Sequence, residues 1–460
     1  MNNVKLKPCL LALSVSAAAW VSSLAMASET SPASPSPQSA QALSQLIETA
    51  LSNDGIRRQY YAQAQAIRET GRASATLMDP KLKMGVTGLP VDSFKFDEDA
   101  MTNISVGLMQ QFERGDTLDL QNKKATQQAQ GVEVQVVGRE LEVANALTQL
   151  WLELGYQQVA QTILLENRSL MNEMVNFIQT NYAIGKSEAQ DLLNAQLQVS
   201  RLDEKLQANA QMQQRLTAQL SEWLGSDWLL SAHRLQASNQ LPWPKLEQTL
   251  THPSTDNAYF GDLSRHPAVR MADSSIEAGR TQVDIAREAY SPQFGVEVMY
   301  AYRQANNMRG EPASDLVSAY LTLDIPLFTG NRQDRNLAAA QYQVGAAQSQ
   351  RDTLLRQMNA KVNALRVDRD NLAQRLARFN STLLPQAKAR VQATERGYQN
   401  NTAQFNDVIS ASTDELALQL EYQRLLTDRN LVNNNLAALL SSYEYQVSQP
   451  QLSLPSAEQE

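Results

Sequence analysis

Four short stretches of the chain alternate apolar and polar residues, and long stretches between them repeat their apolar positions at intervals of three and four. The first alternation sets Leu82, Met84 and Val86 against Lys81, Lys83, Gly85 and Thr87, and the second sets Ile104, Val106, Leu108 and Phe112 against Asn103, Ser105, Gly107 and Gln111. The third sets Phe294, Val296, Val298, Tyr300 and Tyr302 against Gln293, Glu297 and Arg303. The fourth sets Val317, Ala319, Leu321, Leu323, Ile325 and Leu327 against Ser318, Thr322 and Asp324. A period of two predicts strands with one apolar face. Each segment is about the ~9–11 residues a tilted strand needs to cross a bilayer, so Val296, Val298, Leu321 and Leu323 are expected to face lipid. The same pattern also suits two amphipathic hairpins on a soluble core.

The helical stretches are long. No proline occurs from Val91 to Leu241, and helices are expected from about Leu118 to Tyr182 and from about Gln333 to Tyr398, on the order of 95–100 Å each at 1.5 Å per residue. Return helices are expected from about Glu188 to Leu224 and from about Ala403 to Ser442. Leu192, Ala195, Val199, Leu202 and Leu206 follow the narrow seam of coiled-coil packing, and Val408, Ala411, Leu418, Tyr422 and Leu425 continue it in the second return helix. Pro385 falls inside a predicted helix, where it removes a hydrogen bond and must distort or break it.

One pattern occurs twice. Tyr182-Ala183-Ile184-Gly185 is followed by Asp191-Leu192-Leu193-Asn194-Ala195, and Tyr398-Gln399-Asn400-Asn401 by Asp407-Val408-Ile409-Ser410-Ala411; tyrosine and aspartate stand nine residues apart in both, and the copies are offset by 216. The same offset carries Phe112 onto Phe328, each just before a turn containing Gly115 or Gly330. The unit is helix, hairpin, long helix, turn and helix. The expected organisation is a signal peptide at 1–27, a disordered leader at 28–41, a first repeat at 42–225, a linking segment at 226–258 rich in Trp and Pro, a second repeat at 259–445 and a tail at 446–460.

Four strands cannot close a barrel, and an open edge in lipid leaves backbone groups unpaired at several kcal/mol each. Chains must therefore share one barrel. Three copies give twelve strands around a water-filled lumen, whereas the interior of an eight-stranded barrel is filled by side chains. The fold class read from the sequence is an α+β membrane protein: a trimeric 12-stranded transmembrane β-barrel, four strands per chain, continued by a long α-helical coiled-coil barrel, with an internal duplication.

Composition narrows the function. Lys5 and Lys7 precede an apolar run from Leu10 to Leu24 and the small-residue site Ala25-Met26-Ala27, the form of an export signal cleaved before Ser28. The single cysteine, Cys9, lies within that signal, before the apolar run and not after it as lipid anchoring requires. The mature chain then has no disulfide or thiolate site. With 40 basic and 48 acidic residues the formal charge is −8, and no basic stripe suits nucleic acid. There is no nucleophile elbow, phosphate loop or metalloprotease helix, so no enzyme and no cofactor are expected.

The chain resembles the outer-membrane efflux (TolC) family from about Leu43 to Tyr443. The resemblance rests on the duplicated turn and Asp-hydrophobic-hydrophobic-x-Ala motifs, on His266-Pro267-Ala268-Val269-Arg270 opening a helix, and on Ile325-Pro326-Leu327-Phe328 closing the last strand. It implies a homotrimer in outer-membrane lipid with a helical tunnel in the periplasm of a Gram-negative cell. It also implies a periplasmic membrane-fusion adaptor and an inner-membrane RND-type transporter as partners, and a passive duct for small molecules or metal ions. The loop Gly88-Leu89-Pro90-Val91-Asp92-Ser93-Phe94 is similar to the subset serving heavy-metal pumps. The rival reading is a periplasmic coiled-coil adaptor or structural rod.

The resemblance further implies a periplasmic gate in which Tyr398 donates to Asp191 and Asp407 belongs to a ring of carboxylates. Ser410 and Ala403 stand where the family has a second aspartate and an arginine, which weakens that pattern here. The alternative for Asp407 is a helix cap, and for Asp191 an acid favoured by the first-turn dipole. Gly185 and Asn400-Asn401 suit turns that need positive φ. With Lys186, Ser187 and Thr402 they are expected to form the adaptor-docking tips. The three histidines, His233, His252 and His266, show no ligand pairing, and Met78, Met84, Met101 and Met109 cluster along the first hairpin, where thioethers would suit Cu(I).

Overall fold

The computed structural model describes residues 37–230, 235–251, 259–400 and 402–452. The expected signal peptide, His233, His252 and Asn401 lie outside the described residues. Helices α1 (Pro37–Asn53) and α2 (Gly55–Ser74) lead into β1 (Lys81–Thr87) and β2 (Asn103–Gln111), followed by α3 (Thr117–Ala183) and α4 (Ala189–Leu224). The second half runs through α5 (Pro244–Thr251), α6 (Phe260–Leu263) and α7 (Pro267–Glu288) to β3 (Gln293–Tyr302) and β4 (Leu316–Asp324). It ends with α8 (Gln333–Arg378), α9 (Leu384–Gln399) and α10 (Phe405–Leu439). Helix α1 begins at Pro37, inside the stretch read as a disordered leader; its Leu43, Ile47 and Leu51 are buried in the main core, which supplies the energy that a Ser/Pro-rich sequence alone does not.

The duplication is visible in the element boundaries. Helix α3 starts at Thr117 and α8 at Gln333, and α4 starts at Ala189 and α10 at Phe405, each pair 216 residues apart.

The strands form one antiparallel sheet in the order β1-β2-β3-β4. Its register puts the expected apolar residues in continuous rows across the strands. Leu82 faces Leu108, which faces Val298, which faces Ala319; Met84, Val106, Tyr300 and Val317 make the next row, and Val296 faces Leu321. These large side chains are all exposed, Leu321 at 72%. The opposite face is polar. There Lys83 Nζ meets Glu297 Oε2 at 2.6 Å, reaching across β2 at Gly107, the residue paired with Lys83. Strand β4 ends at Asp324, short of Ile325 and Leu327; Pro326 lacks the N–H a continuing ladder needs.

Each strand is continuous with a long helix, and the lateral order is kept. Helix α2 leads to β1, α3 follows β2, α7 leads to β3 and α8 follows β4, while α2 packs on α3, α3 on α7 and α7 on α8. A single layer of helices has no thick core, so the staves meet through small residues. A Cβ on Gly71 would lie 2.4 Å from Ala125 Cβ, and one on Gly131 3.3 Å from Ser274 Cβ. Among the described residues no helix is long and apolar enough to cross a membrane.

Halfway along the helices lies the largest core cluster, which includes Trp151, Leu147, Leu152, Leu216, Leu220 and Leu224. The Trp/Pro segment packs here, with Trp228 and Trp243 against the cluster and Trp243 Nε1 donating to Asn430 Oδ1 at 2.9 Å. It crosses α3 at Gly155, where an added Cβ would lie 2.2 Å from the carbonyl carbon of Ser238. Backbone cannot yield as a side chain can. Gly155→Ala is therefore expected to lower stability by about 1–3 kcal/mol despite the better helix propensity of alanine. A thermal midpoint equal to or above the parent's would show that the segment does not cross there.

The C-terminal tail returns to this belt. Gln446 N donates to Glu48 Oε1 at 3.0 Å, Arg57 donates to the Ser448 carbonyl, and Tyr443 bonds Asn434 Oδ1 at 2.7 Å.

Candidate functional site at the tips of the helical hairpins

The α3–α4 and α9–α10 hairpins lie side by side, and their turns form one end of the molecule. The first turn is closed by the backbone: Gly185 N donates to Tyr182 O at 3.0 Å and Lys186 N to Asn181 O at 2.8 Å, the Schellman pattern, with Gly185 at φ 75°. The second turn is built differently. Asn400 caps α9 at φ −94°, so the positive φ expected for it is not found, and the Gly397 carbonyl accepts from Thr402 N at 2.8 Å and Ala403 N at 3.1 Å. The closure falls on a glycine for steric reasons, since a Cβ at Gly397 would lie 2.9 Å from Ala403 Cβ.

Aromatic packing joins the two hairpins. Phe405 and Ile178 are buried with Ala195 and Ile409, and Met174, Val175, Leu192 and Tyr398 pack around them. The Tyr398 ring lies 5.6 Å from Phe405 and 6.4 Å, edge-on, from Phe177. Its hydroxyl meets Ser187 Oγ at 3.3 Å. Nearby, Asn194 Nδ2 donates to Asn406 Oδ1 at 3.3 Å. Within the protomer the expected acceptor Asp191 is thus not the partner of Tyr398; Ser187, four residues earlier in the turn before α4, is. The nine-residue spacing fixes the level of Tyr398 along the hairpin but not which residue of that level it turns towards.

The two aspartates have different surroundings. Asp407 sits at the third position of α10, and its carboxylate accepts from Gln404 N at 3.1 Å while the Gln404 side chain accepts from the Asp407 backbone. This is a capping box, so the helix-cap reading of Asp407 holds, and the carboxylate is held to its own helix. Asp191 is pushed above the usual carboxylate range, first by burial and then by the neighbouring Glu188 carboxylate. A raised acid destabilises the fold when ionised, and the penalty is relieved as pH falls through the raised value. Amide protection factors around residues 185–195, corrected for intrinsic exchange, should accordingly rise as pH falls through the raised value. Asp191→Asn should remove that dependence, and an unchanged pH profile in the variant would assign it to another group.

Phe405 and Phe177 were not singled out from the sequence, although an aromatic immediately after the second turn was a usable signal. His266 accepts from Ala268 N at 3.2 Å through Nδ1 and caps α7, and burial holds its pKa below the usual range. Met84 lies on the apolar face of the sheet, and Met109 belongs to the alternate parity, on the polar face. Among the described residues no group of three or more His, Cys, Asp and Glu side chains is placed to hold a metal ion.

The fold is thus a four-stranded antiparallel sheet prolonged by long helical hairpins. The model of the family described as "Outer membrane efflux protein" matches residues 262–442, nearly the whole second repeat. Those residues match that family, the one the sequence resembles. No curated protein matches the chain. Among solved structures, the channel-forming CusC shares 16% identity at a TM-score of 0.70, covering 87% of this chain and 92% of its own. The outer membrane protein VceC of Vibrio cholerae shares 18% at 0.67, covering 87% and 95%. A membrane protein from Pseudomonas aeruginosa shares 16% at 0.69, covering 86% and 90%. At these identities the likeness shows the fold.

Proposed function

We propose that three copies of this chain form the outer-membrane duct of a tripartite efflux system, passing small molecules or metal ions outward from an inner-membrane RND-type transporter and a periplasmic adaptor. The observation that carries this is the sheet, whose exposed apolar rows run across all four strands and whose outer strands β1 and β4 have no second neighbour among the described residues. In lipid such edges must pair, and pairing between copies closes a twelve-stranded barrel. The helices continue in the same order, so the same closure joins α8 of one copy to α2 of the next and makes a tunnel wall. The duct itself is passive and no residue is assigned a catalytic role.

The tips are the gate. Tyr398 packed between Phe177 and Phe405 and bonded to Ser187 holds the second hairpin against the first, and Gly185, Lys186, Ser187, Asn400 and Thr402 present the surface an adaptor meets. A neutral hydroxyl pair contributes about 0.5–1.5 kcal/mol per protomer, so three links bias the tip without locking it. In planar bilayers, Tyr398→Phe and Ser187→Ala are each expected to raise single-channel conductance, and the double variant should add little because both remove one contact. Asp191→Ala should conduct like the parent. A rise in that variant would make Asp191 an acceptor from a neighbouring protomer, and a protein that forms no channel at all would contradict the duct.

A further inference from the structure

The two repeats differ at one place that the gate does not explain. In the second repeat the long rod is interrupted between α8 and α9 by a turn of π-helix at Phe379–Leu383, where Leu384 N donates to Phe379 O, five residues back. Pro385 follows directly and leaves the Ser381 carbonyl without its α-helical donor. At the 216-residue offset the matching stretch of α3, residues 163–167, is uninterrupted helix. A π-turn is one residue more than the α-helix needs, and it loosens the ladder at that point.

Packing above and below the interruption is unequal. Above it, α8 is anchored by Leu355, Met358 and Val362 in a core with Tyr259, Leu263 and Leu436. The interruption itself rests on Leu376, Phe379 and Leu425. Below it, α9 buries only Ala387. Helix α9 is tied to the lower part of α10 by Arg390 and Asp414 at 2.5 Å and by the Gly397 turn.

We propose that the π-turn Phe379–Leu383 with Pro385 is the pivot of the gate: the α9 segment swings about it while α8 above and the unbroken α3 beside it stay fixed. The proposal rests on the reading of the tips as a gate and assigns the movement to one repeat and one level. Opening the tip then requires no rearrangement of the central belt, only a change of angle at a point where one hydrogen bond is already missing.

The expected mature chain has no cysteine, so introduced pairs are unique. Spin labels at Leu165→Cys with Gln392→Cys, and at Leu165→Cys with Asn371→Cys, compare one fixed site on α3 with positions below and above the π-turn in chains diluted into unlabelled protein. The Gln392 distance distribution should be at least twice as broad as the Asn371 distribution. It should narrow to the Asn371 width when Ser381 is deleted together with Pro385→Ala, which restores a plain α-helix. Equal widths in the parent, or a Gln392 width unmoved by straightening, would overturn the pivot. Conductance separates this from the gate: Tyr398→Phe should lose its effect in the straightened background, and an undiminished effect there would also overturn the pivot. No effect of Tyr398→Phe in the parent would instead count against the gate, and the label widths would still decide the pivot.

Discussion

Arginine at Leu321 is expected to strip the outer membrane of assembled protein. Leu321 pairs with Val296 in the apolar rows and is 72% exposed on the single chain, so in the proposed barrel its surroundings would be acyl chains. A charge near mid-bilayer costs about 2–4 kcal/mol per strand position, and the threefold repeats the penalty in each copy. Thr322, one residue on, has the opposite parity and lies on the polar face, where arginine meets water. Outer-membrane fractions should therefore contain trimer for Thr322→Arg and little or none for Leu321→Arg or Val296→Arg. The reverse order would put the register one residue out, because a slip of one exchanges the faces of the whole strand.

The second large effect belongs to the central belt. Arg57 and Glu140 form a buried pair, Nε to Oε1 at 2.6 Å, with Arg57 only 4% exposed. Two further guanidinium donors go to the carbonyls of Leu51 and Ser448, so one side chain ties α1, α2, α3 and the C-terminal tail together. Arg57→Met leaves Glu140 buried without a counter-charge and frees the tail, at an expected cost of about 3–5 kcal/mol. Arg57→Met with Glu140→Met should recover most of that stability, since the uncompensated charge is then gone. Denaturation midpoints check the ordering, and proteolysis should cut the tail near residues 443–452 faster in both variants. A double variant no more stable than the single would mean that the tail contacts, not the charge pair, dominate.

What the sequence made legible follows from periodicity. Strand faces are set by alternation, and helix lengths by the absence of proline, so the predicted Leu118–Tyr182 meets the observed Thr117–Ala183 almost residue for residue. The repeat located the turns, and Pro385 marked a break that the structure places one turn earlier, at Phe379–Leu383, because the lost hydrogen bond belongs to the preceding turn. Contacts between hairpins were not legible. That Tyr398 turns to Ser187 depends on helix rotation, and spacing along one strand of sequence does not carry it. The Asp407 cap was present as Gln404-x-x-Asp407, a weak form of the capping box. The tail at 443–452 has no period at all; it is held by Arg57, Glu48 and Asn434, three residues scattered across the chain.

The central claim is that four strands per chain become one barrel by threefold assembly. Native mass spectrometry of protein extracted in mild detergent measures this without assuming a gate, a partner or a substrate. A single species at three times the chain mass, lost together with solubility when detergent is removed, is the predicted result. A monodisperse monomer that stays soluble without detergent would contradict the shared barrel, and with it the duct.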